Sequence, residues 1–437
     1  MKSEGRFPKS LVRNRGDGTF EDVTLKAGLL SLAPSQTAVW ADFDNDGWVD
    51  LFFGNESAGA DIHPCQLFRN NHDGTFTDIA PQSGVAFTGF VKGVAAGDYN
   101  NDGRTDIYLS MLKRGNVLFR NDGIAGTNAA GRPALRFSNV AGAARVTEPT
   151  DSFPTWFFDY DNDGWDDQLV TGYRITEVGD ICADYLGLPH RAERSRLFHN
   201  NGDGTFKDVT RETGLYRVLH AMGSNFGDLD NDGFLDFYLG TGDPDLATLI
   251  PNRMFRNDAG KRFQDVTTSG GFGHLQKGHA VVFADIDNDG DEDVFENMGG
   301  AVSGDIYRNV LYQNSGHSNH WVTLKFEGTK SNRSAIGARV RVVVRTPEGP
   351  RTIHRTVNSG GSFGANPLRR EIGLGKATAI ERVEIQWPAS GTVQTVRGIS
   401  MDRFYNIREG APEATPFDPP RFKLPTADAS HAHRHDH

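Results

Sequence analysis

The chain has 437 residues and a formal net charge of −11, with 57 acidic and 46 basic side chains. This length exceeds one ordinary hydrophobic core, so at least two domains or an array of repeats are expected. No basic stripe or nucleic-acid motif occurs, and no window approaches 18 apolar residues. Nucleic-acid binding and a membrane span are therefore not predicted.

The N-terminal segment MKSEGRFPKSLVRNRGDGTF has no apolar signal-peptide core. Two locations stay open: the cytoplasm, or an exported protein whose signal is missing from this chain. Within 11–24, LVRNRGDGTFEDVT has the pattern strand, Asx-Gly turn, strand, which predicts a β-hairpin. Copies of this hairpin recur at 67–80, 118–123, 197–210 and 254–267, and a partial copy at 311–314.

Five acidic segments alternate with these hairpins, and each fits D-x-[DN]-x-D-G-x-x-D. Carboxylates this close repel one another unless a cation neutralises them. Positions 1, 3, 5 and 6 match the start of an EF-hand calcium loop. The flanking segments are short and apolar, as in AVWADFD and DLFFGN, which is typical of strands rather than of EF-hand helices. We therefore predict about five calcium ions, each in a loop that joins two strands.

Positions 1, 3, 5, 7 and 9 of each loop are the predicted calcium ligands. A single acidic turn is explained by aspartates that cap their own backbone, but five copies with the same glycine favour metal binding. The predicted ligands are Asp42, Asp44, Asp46, Trp48 and Asp50; Asp98, Asn100, Asp102, Arg104 and Asp106; Asp159, Asp161, Asp163, Trp165 and Asp167; Asp228, Asp230, Asp232, Phe234 and Asp236; and Asp285, Asp287, Asp289, Asp291 and Asp293.

Loops and hairpins together define a four-stranded unit whose acidic loops start 56 to 69 residues apart. Such units do not bury their own faces, and their repetition is typical of a β-propeller. Five blades are well marked, a sixth is compatible with the pattern, and a seventh requires degenerate strands beyond residue 300. The hairpin 11–24 is expected to pair with strands near 280–297 and close the ring.

The loops with LFRN…DGTFxDVT resemble the FG-GAP/VCBS repeats of integrin α-type propellers. The pattern stops after residue 315, and 319–344, 370–377 and 383–396 resemble the ASPIC/UnbV domain. The combination resembles the cartilage acidic protein and UnbV-like family. This resemblance implies an all-β chain with a calcium-binding propeller at 1–315 and a smaller β-rich ASPIC/UnbV domain at 316–410. The segment 411–437 is Pro-rich and unpatterned, so it is expected to be a disordered, His-containing tail.

Three smaller features are interpreted as structural. Cys65 and Cys182 are too few for a disulfide framework, and they either pair or remain two buried thiols. The arginines Arg333, Arg339 and Arg369 are expected to support the propeller rim rather than to bind an acidic ligand. The tail histidines fit no single rigid metal site; they are His431, His433, His435 and His437.

Candidate chemistry lies opposite the calcium loops, on what we call the far face. The long connections 55–65, 171–195 and 240–251 emerge there, and long loops on a rigid scaffold commonly carry function. Histidines with carboxylates suit acid–base catalysis or a second metal. No Ser-His-Asp spacing, H-E-x-x-H or phosphate-binding loop accompanies them, so catalysis is the less favoured interpretation. The candidates are His220, His279, His63, His190, Asp184 and Tyr185.

Two functions remain open at this point. The favoured hypothesis is a binding or adhesion module, secreted or periplasmic, that recognises a protein, glycan or small molecule on the far face. Calcium loops outside cytosolic sensors often bind with a Kd of roughly 10⁻⁴–10⁻³ M, which favours a location outside the cytoplasm. The alternative is a UnbV-like natural-product biosynthetic enzyme with a pocket at the mouth of the propeller channel.

Overall fold

The computed structural model of the chain describes residues 8–127, 131, 133–243, 245, 248–299 and 307–424. Regular structure in these ranges is almost entirely β-strand, so the predicted all-β class is confirmed. No helix in the described ranges has the length and apolar character needed to cross a bilayer. The short helices are α1 (Ala80–Ser83), α2 (Ala141–Ala144) and α3 (Gly179–Tyr185).

A two-stranded hairpin precedes five antiparallel sheets, which we call blades one to five. The hairpin consists of β1 (Val12–Asn14) and β2 (Phe20–Asp22). Blade one holds β3 (Ser35–Ala41), β4 (Asp50–Asn55), β5 (Gln66–Asn70) and β6 (Phe76–Asp78); blade two holds β7 (Phe90–Gly97), β8 (Asp106–Leu112), β9 (Val117–Thr127) and β10 (Pro133–Asn139). Blade three holds β11 (Ser152–Phe158), β12 (Asp167–Gly172), β13 (Arg196–Asn200) and β14 (Phe206–Asp208). Blade four holds β15 (Ala221–Gly227), β16 (Asp236–Thr241), β17 (Arg253–Asn257) and β18 (Phe263–Asp265); blade five holds β19 (Gly278–Ala284), β20 (Asp293–Met298) and β21 (Val310–Tyr312).

The first strand of each blade is the innermost, and the first strands of successive blades contact one another. Every residue of β11 and of β15 is buried, as expected for strands that are covered on both faces. Aromatic side chains fill the space between blades: Trp156 of β11 lies 6.1 Å from Phe226 of β15 and 5.7 Å from Phe237 of β16, measured between ring centroids. This radial arrangement is that of a β-propeller.

The prediction that hairpin 11–24 pairs with strands near 280–297 is wrong. In the described structure β1 pairs with β2 alone, while β20 pairs with β19 and β21. The hairpin packs on blade one instead, where Leu11 and Leu29 join an apolar cluster around Leu51 and Phe68. Strand β21 occupies the edge of β20 that the hairpin was expected to fill.

Eight strands of the C-terminal domain form two four-stranded sheets around one apolar core. One sheet has the order β25-β22-β28-β29, in which β22 and β28 are parallel, and the other has the order β24-β23-β26-β27. These strands are β22 (His320–Glu327), β23 (Arg339–Thr346), β24 (Gly349–Thr356), β25 (Arg370–Gly375), β26 (Ala379–Gln386), β27 (Val393–Val396), β28 (Arg403–Arg408) and β29 (Thr415–Phe417).

Strand β29 lies in the segment 411–437 that the sequence predicts to be disordered. It pairs with β28 over Thr415–Phe417, and the Phe422 N–H donates to the Asp287 carbonyl 3.3 Å away. The first part of the tail is therefore an ordered part of the C-terminal domain. The four tail histidines lie outside the described residues.

The cysteines do not pair. Cys65 is buried in blade one, whereas Cys182 is exposed on α3. The expectation of two buried thiols is therefore wrong for Cys182, because α3 lies in a surface connection rather than in a blade.

The connection 358–366 between β24 and β25 inserts into the centre of the propeller; we call it the plug. The Ser224 N–H of β15 donates to the Phe363 carbonyl at 3.0 Å, and the Thr155 N–H of β11 donates to Ser362 Oγ at 3.0 Å. The Phe363 ring packs against Phe153, with 4.8 Å between ring centroids. The C-terminal domain is thus anchored along the axis on which the blades converge.

Candidate metal centres in the acidic loops

Each acidic loop joins the first two strands of a blade and folds around its own carboxylates. In the first loop Asp42 accepts the N–H groups of Asp46 and Gly47 at 3.0 and 2.9 Å. Asp50 accepts the N–H groups of Phe43 and Asn70 at 3.1 and 2.8 Å. The glycine at position 6 is needed because its φ is positive, +92° at Gly47. The loop conformation therefore turns the side chains at positions 1 and 9 toward the interior of the same loop.

Four of the loops bring three carboxylates together, with ligand atoms all within 4.8 Å of one another. Positions 1, 3 and 9 meet in the first, third and fourth loops, and positions 1, 3 and 5 in the fifth. These groups are Asp42, Asp44 and Asp50; Asp159, Asp161 and Asp167; Asp228, Asp230 and Asp236; and Asp285, Asp287 and Asp289. Such triads of oxygen donors could hold a metal ion.

The second loop differs because position 3 is Asn100. Its amide donates to Asp102 at 2.9 Å, and Arg104 forms an ion pair with the same carboxylate. Asp98 and Asp106 keep the backbone contacts of the other loops: Asp98 accepts the Gly103 N–H at 2.9 Å, and Asp106 accepts the Asn121 N–H at 2.7 Å. A metal in this loop would have an amide oxygen in place of one carboxylate.

In every loop the side chain at position 5 contacts the backbone at position 7. The position 5 carboxylate accepts the position 7 N–H in every loop, at 2.8 to 3.0 Å. This contact closes the turn after the glycine. The pairs are Asp46 with Trp48, Asp102 with Arg104, Asp163 with Trp165, Asp232 with Phe234 and Asp289 with Asp291.

Several loop carboxylate oxygens are buried without a hydrogen-bond partner among the described residues. They are one oxygen each of Asp44, Asp161, Asp228, Asp230 and Asp287; the second oxygen of Asp44 pairs with Arg69. Buried polar atoms are otherwise almost always satisfied, because an unpaired one costs free energy. A cation in the loops would supply the missing partner.

Without a cation the loop carboxyl groups are hard to ionise. Burial raises the pKa of Asp42 to about 7 and that of Asp50 to about 8, and nearby carboxylates add to both shifts. Burial also raises the pKa of Asp285 to about 7 and that of Asp98 to about 6. A metal that neutralises the group would favour the charged forms and release protons as it binds.

We expect the metal-free protein to lose stability as the pH rises from about 4 to about 8. In the folded state these groups hold protons up to pH 6–8, while unfolded aspartates release them near their ordinary pKa of 3.8. Stability falls with pH wherever the folded state binds more protons. Melting curves in EDTA and in millimolar calcium check this expectation. A metal-free melting temperature that rises over this range, in parallel with the calcium form, would contradict it.

In four blades a residue within or directly after the third strand contacts the position 3 side chain of the loop. Arg69 Nε lies 2.9 Å from Asp44, Arg256 Nε lies 2.5 Å from Asp230, and Gln313 donates to Asp287 at 3.0 Å. In the third blade this residue is His199, whose Nδ1 lies 3.5 Å from Asp161. Sequence analysis missed these contacts, although the exchange of Arg for His in LFHN signals the difference.

Asparagine side chains link successive loops around the axis. In each of the first four loops, the asparagine at position 4 donates its side-chain N–H to the carbonyl of the position 6 glycine in the next loop. Asn45 donates to Gly103 at 2.7 Å, for example, and Asn162 donates to Gly233 at 2.7 Å. In the fifth loop Asn288 donates to the Pro420 carbonyl at 3.0 Å. The loops therefore form one connected layer, which continues into the C-terminal segment.

The C-terminal domain covers this layer. Arg355 Nη2 lies 3.3 Å from Asp228, and Arg351 donates to the Asp232 carbonyl at 2.8 Å. Arg369 donates to the Asp285 carbonyl at 2.5 Å, and Arg339 donates to the Gly164 carbonyl. These contacts agree with the expected rim role of Arg339 and Arg369. Arg333 lies within the C-terminal domain, where its backbone carbonyl accepts the Gly328 N–H at 3.2 Å.

On the far face, the most deeply buried candidate is His220, which precedes β15 and is only 2% exposed. Its Nδ1 lies 2.5 Å from the Tyr173 carbonyl, and its Nε2 lies 3.4 Å from Asp243. The ring also stacks on Tyr173 with a centroid distance of 4.7 Å. His279 lies half-buried in β19. The contacts of His220 are thus those of a buried structural histidine.

The remaining far-face candidates lie in the connections. His63 pairs with Asp61 at 2.7 Å, and His190 pairs with Asp184 at 3.1 Å. Asp184 also accepts the Val218 N–H at 2.9 Å, which ties the insertion 171–195 to the scaffold. Tyr185 is exposed. Within the described residues, every group of three or more metal-ligand side chains lies at the acidic loops, so the far-face histidines form none.

Comparison with known proteins shows two family matches along the chain. The profile described as FG-GAP-like repeat matches residues 8–53, 42–109, 179–239 and 238–296, which together are about half of the 437 residues. The profile described as ASPIC and UnbV matches residues 328–414. Among solved structures, the Dos1 propeller shows a TM-score of 0.31 and 9% identity over 78% of this chain and 64% of that one.

The curated relatives match a shorter part of this chain than the family profiles do together. Cartilage acidic protein 1 of Xenopus tropicalis and that of Homo sapiens are each 29% identical over 274 residues, which is 59% of this chain. The match spans 38% and 37% of the length of those relatives. The repeats, the acidic loops and the C-terminal domain together show that the chain belongs to the family of FG-GAP-repeat propeller proteins that carry a C-terminal ASPIC/UnbV domain.

Proposed function

We propose that the protein is a calcium-stabilised binding module that acts outside the cytoplasm and recognises its partner with the far face. The observation that carries this proposal is the difference between the two propeller faces. The C-terminal domain covers the acidic-loop face through Arg351, Arg355 and Arg369. The far face has no such cover in the described structure and carries the long connections.

Calcium is the metal that fits the loops best. The first, fourth and fifth loops offer oxygen donors, and calcium prefers oxygen ligands in flexible arrangements. Asp44, Asp228, Asp230 and Asp287 keep oxygens without hydrogen-bond partners among the described residues, which a cation would satisfy. Extracellular calcium modules bind with a Kd of about 10⁻⁴–10⁻³ M, and such loops are filled only where calcium is abundant. This argument supports a secreted or periplasmic location.

Exposed apolar side chains support recognition on the far face. Connections of blades one, three, four and five, together with the segment between β18 and β19, present large apolar residues that are at least half exposed. These residues are Ile62, Tyr185, Leu186, Leu188, Leu249, Leu275 and Tyr307. Three of them, Tyr185, Leu186 and Leu188, lie within four positions of the insertion 171–195, and a contiguous exposed apolar patch on a soluble protein commonly marks a contact site.

The enzyme alternative has weaker support. His220 is held between Tyr173 and Asp243, as a catalytic histidine would be, but its ring is buried. Phe363 of the plug packs on Phe153, which in turn packs on Tyr173 at 4.9 Å. The His220 ring stacks on Tyr173 of this aromatic group, with 4.7 Å between ring centroids, and we therefore place binding on the connections.

The test begins with a screen of the full chain in millimolar calcium against a glycan array and purified extracellular proteins. Any partner found is titrated against a variant in which Tyr185, Leu186 and Leu188 are all changed to Ser. We expect its affinity to fall at least tenfold, about 1.4 kcal/mol, because the most exposed apolar part of the far face is lost.

The matched control is Val393→Ser, which removes an apolar side chain of similar exposure from the C-terminal domain. It is expected to bind like the unchanged protein. A partner that binds the triple variant normally, while calcium content and melting temperature are also normal, would place recognition elsewhere and contradict the far-face proposal.

A further inference from the structure

The third acidic loop differs from the others in the ligand atoms that surround it. It is the one loop whose carboxylates belong to two groups of potential metal ligands in the described structure. The inner group is Asp159, Asp161 and Asp167, as in the first and fourth loops. The outer group consists of Asp161, Asp163 and His199, and it shares Asp161 with the inner group.

We propose that this outer group, which we call the His199 site, binds a transition ion of the Zn²⁺ class. The inference goes beyond the proposed calcium sites and rests on the same premise that the loops hold metal. Imidazole nitrogen suits zinc, copper, iron and nickel, whereas calcium takes oxygen ligands. Three protein ligands leave a coordination position for solvent, as in open zinc sites.

The distances around His199 fit a small ion. Nδ1 lies 3.5 Å from Asp161 Oδ2, and one ligand atom from each of Asp161, Asp163 and His199 lies within 4.8 Å of the other two. Nδ1 also lies 3.2 Å from Asp167 Oδ1 of the inner group. Ligands about 2.1 Å from a shared tetrahedral zinc lie about 3.4 Å from each other. The ring is also held in place by an edge-to-face contact with Tyr160, with 6.1 Å between centroids. His199 and Asp161 are thus already at a spacing that one zinc-sized ion can bridge.

One carboxylate oxygen of the His199 site, Asp161 Oδ1, is buried without a hydrogen-bond partner among the described residues. His199 Nδ1 faces the carboxylates of Asp161 and Asp167. A bound ion would contact the imidazole nitrogen and the Asp161 carboxylate together. In the related position of blades one and four, Arg69 and Arg256 already neutralise the position 3 aspartate with a permanent charge and cannot ligate a metal. The exchange of Arg for His therefore turns a charge partner into a metal ligand.

The blades provide their own matched variants. His199→Arg places in the third blade the arginine that contacts the position 3 aspartate in blades one and four. Arg256→His places in the fourth blade the histidine that blade three has at this position. Full-length proteins are loaded with Co²⁺ in millimolar Ca²⁺ and desalted. Bound cobalt and calcium are counted, and the Co²⁺ absorption spectrum is recorded. The tail histidines contribute equally to all variants, so only differences between variants are interpreted.

We expect His199→Arg to hold one Co²⁺ fewer per chain than the unchanged protein, with the calcium of the other loops retained. Arg256→His is expected to gain cobalt. Equal cobalt in the unchanged protein and His199→Arg, at retained calcium, would overturn the His199 site and leave the calcium proposal intact. Absence of calcium from every variant would overturn the calcium proposal instead. If His199→Arg fails to fold, His199→Gln replaces it and the same difference decides.

Discussion

Removal of calcium is expected to lower the melting temperature of the protein substantially. A ligand that binds only the folded state stabilises it by about 2.7 kcal/mol per site at a hundredfold excess over Kd. For a protein of this size one such site corresponds to roughly 3–4 °C, and the five loops act together. The loops are linked by asparagine contacts such as Asn45 to Gly103, so loss of metal in one loop weakens its neighbour.

Calorimetry of the same sample in millimolar calcium and then in EDTA measures this effect. Magnesium at equal concentration is the control, since it demands tighter octahedral geometry than these loops offer. An unchanged melting curve, together with no calcium in elemental analysis, would refute metal-dependent stability.

Gly364→Ala is expected to destabilise the docking of the C-terminal domain by about 2–4 kcal/mol. Gly364 lies in the plug with φ +143°, and a Cβ added there would overlap the Val281 carbonyl oxygen of β19. Both obstacles involve backbone, so no side-chain rotation relieves them. We expect calorimetry to show a separate, earlier transition and limited proteolysis to cut between the propeller and the C-terminal domain.

Gly142→Ala is the matched control for this variant. Gly142 lies in α2, its φ is not in the left-handed region, and nothing lies within 4 Å of an added Cβ. Its stability is expected to change little or to rise slightly, since alanine favours helix. If both variants melt like the unchanged protein, the plug does not hold the two domains together.

The propeller could be predicted from local sequence patterns alone. The glycine at position 6 and the alternating strands depend on contacts within about ten residues, and such signals are visible in sequence. The same local pattern places the carboxylates of positions 3 and 9 in one loop, and Asp44 and Asp50 do meet in the folded chain.

Contacts between distant parts of the chain were not visible. The plug sequence NSGGSFGAN resembles an ordinary Gly/Ser-rich loop, yet Asn366 contacts Asn225, 141 residues away. No periodicity encodes such a pair. The same reason hid the contact of His199 with Asp161 and the packing of hairpin 11–24 on blade one. Each requires knowledge of which strands become neighbours after folding.

The claim that the acidic loops hold calcium is tested most directly by counting ions in native mass spectrometry. The unchanged protein in millimolar calcium is predicted to carry about five calcium ions, one for each loop. Asp44→Ala removes one carboxylate of the first-loop triad and is predicted to carry one ion fewer. Glu413→Ala changes an exposed acidic residue of the C-terminal domain and is predicted to carry the full number. A calcium-free unchanged protein, or equal counts in all three proteins, would contradict the account.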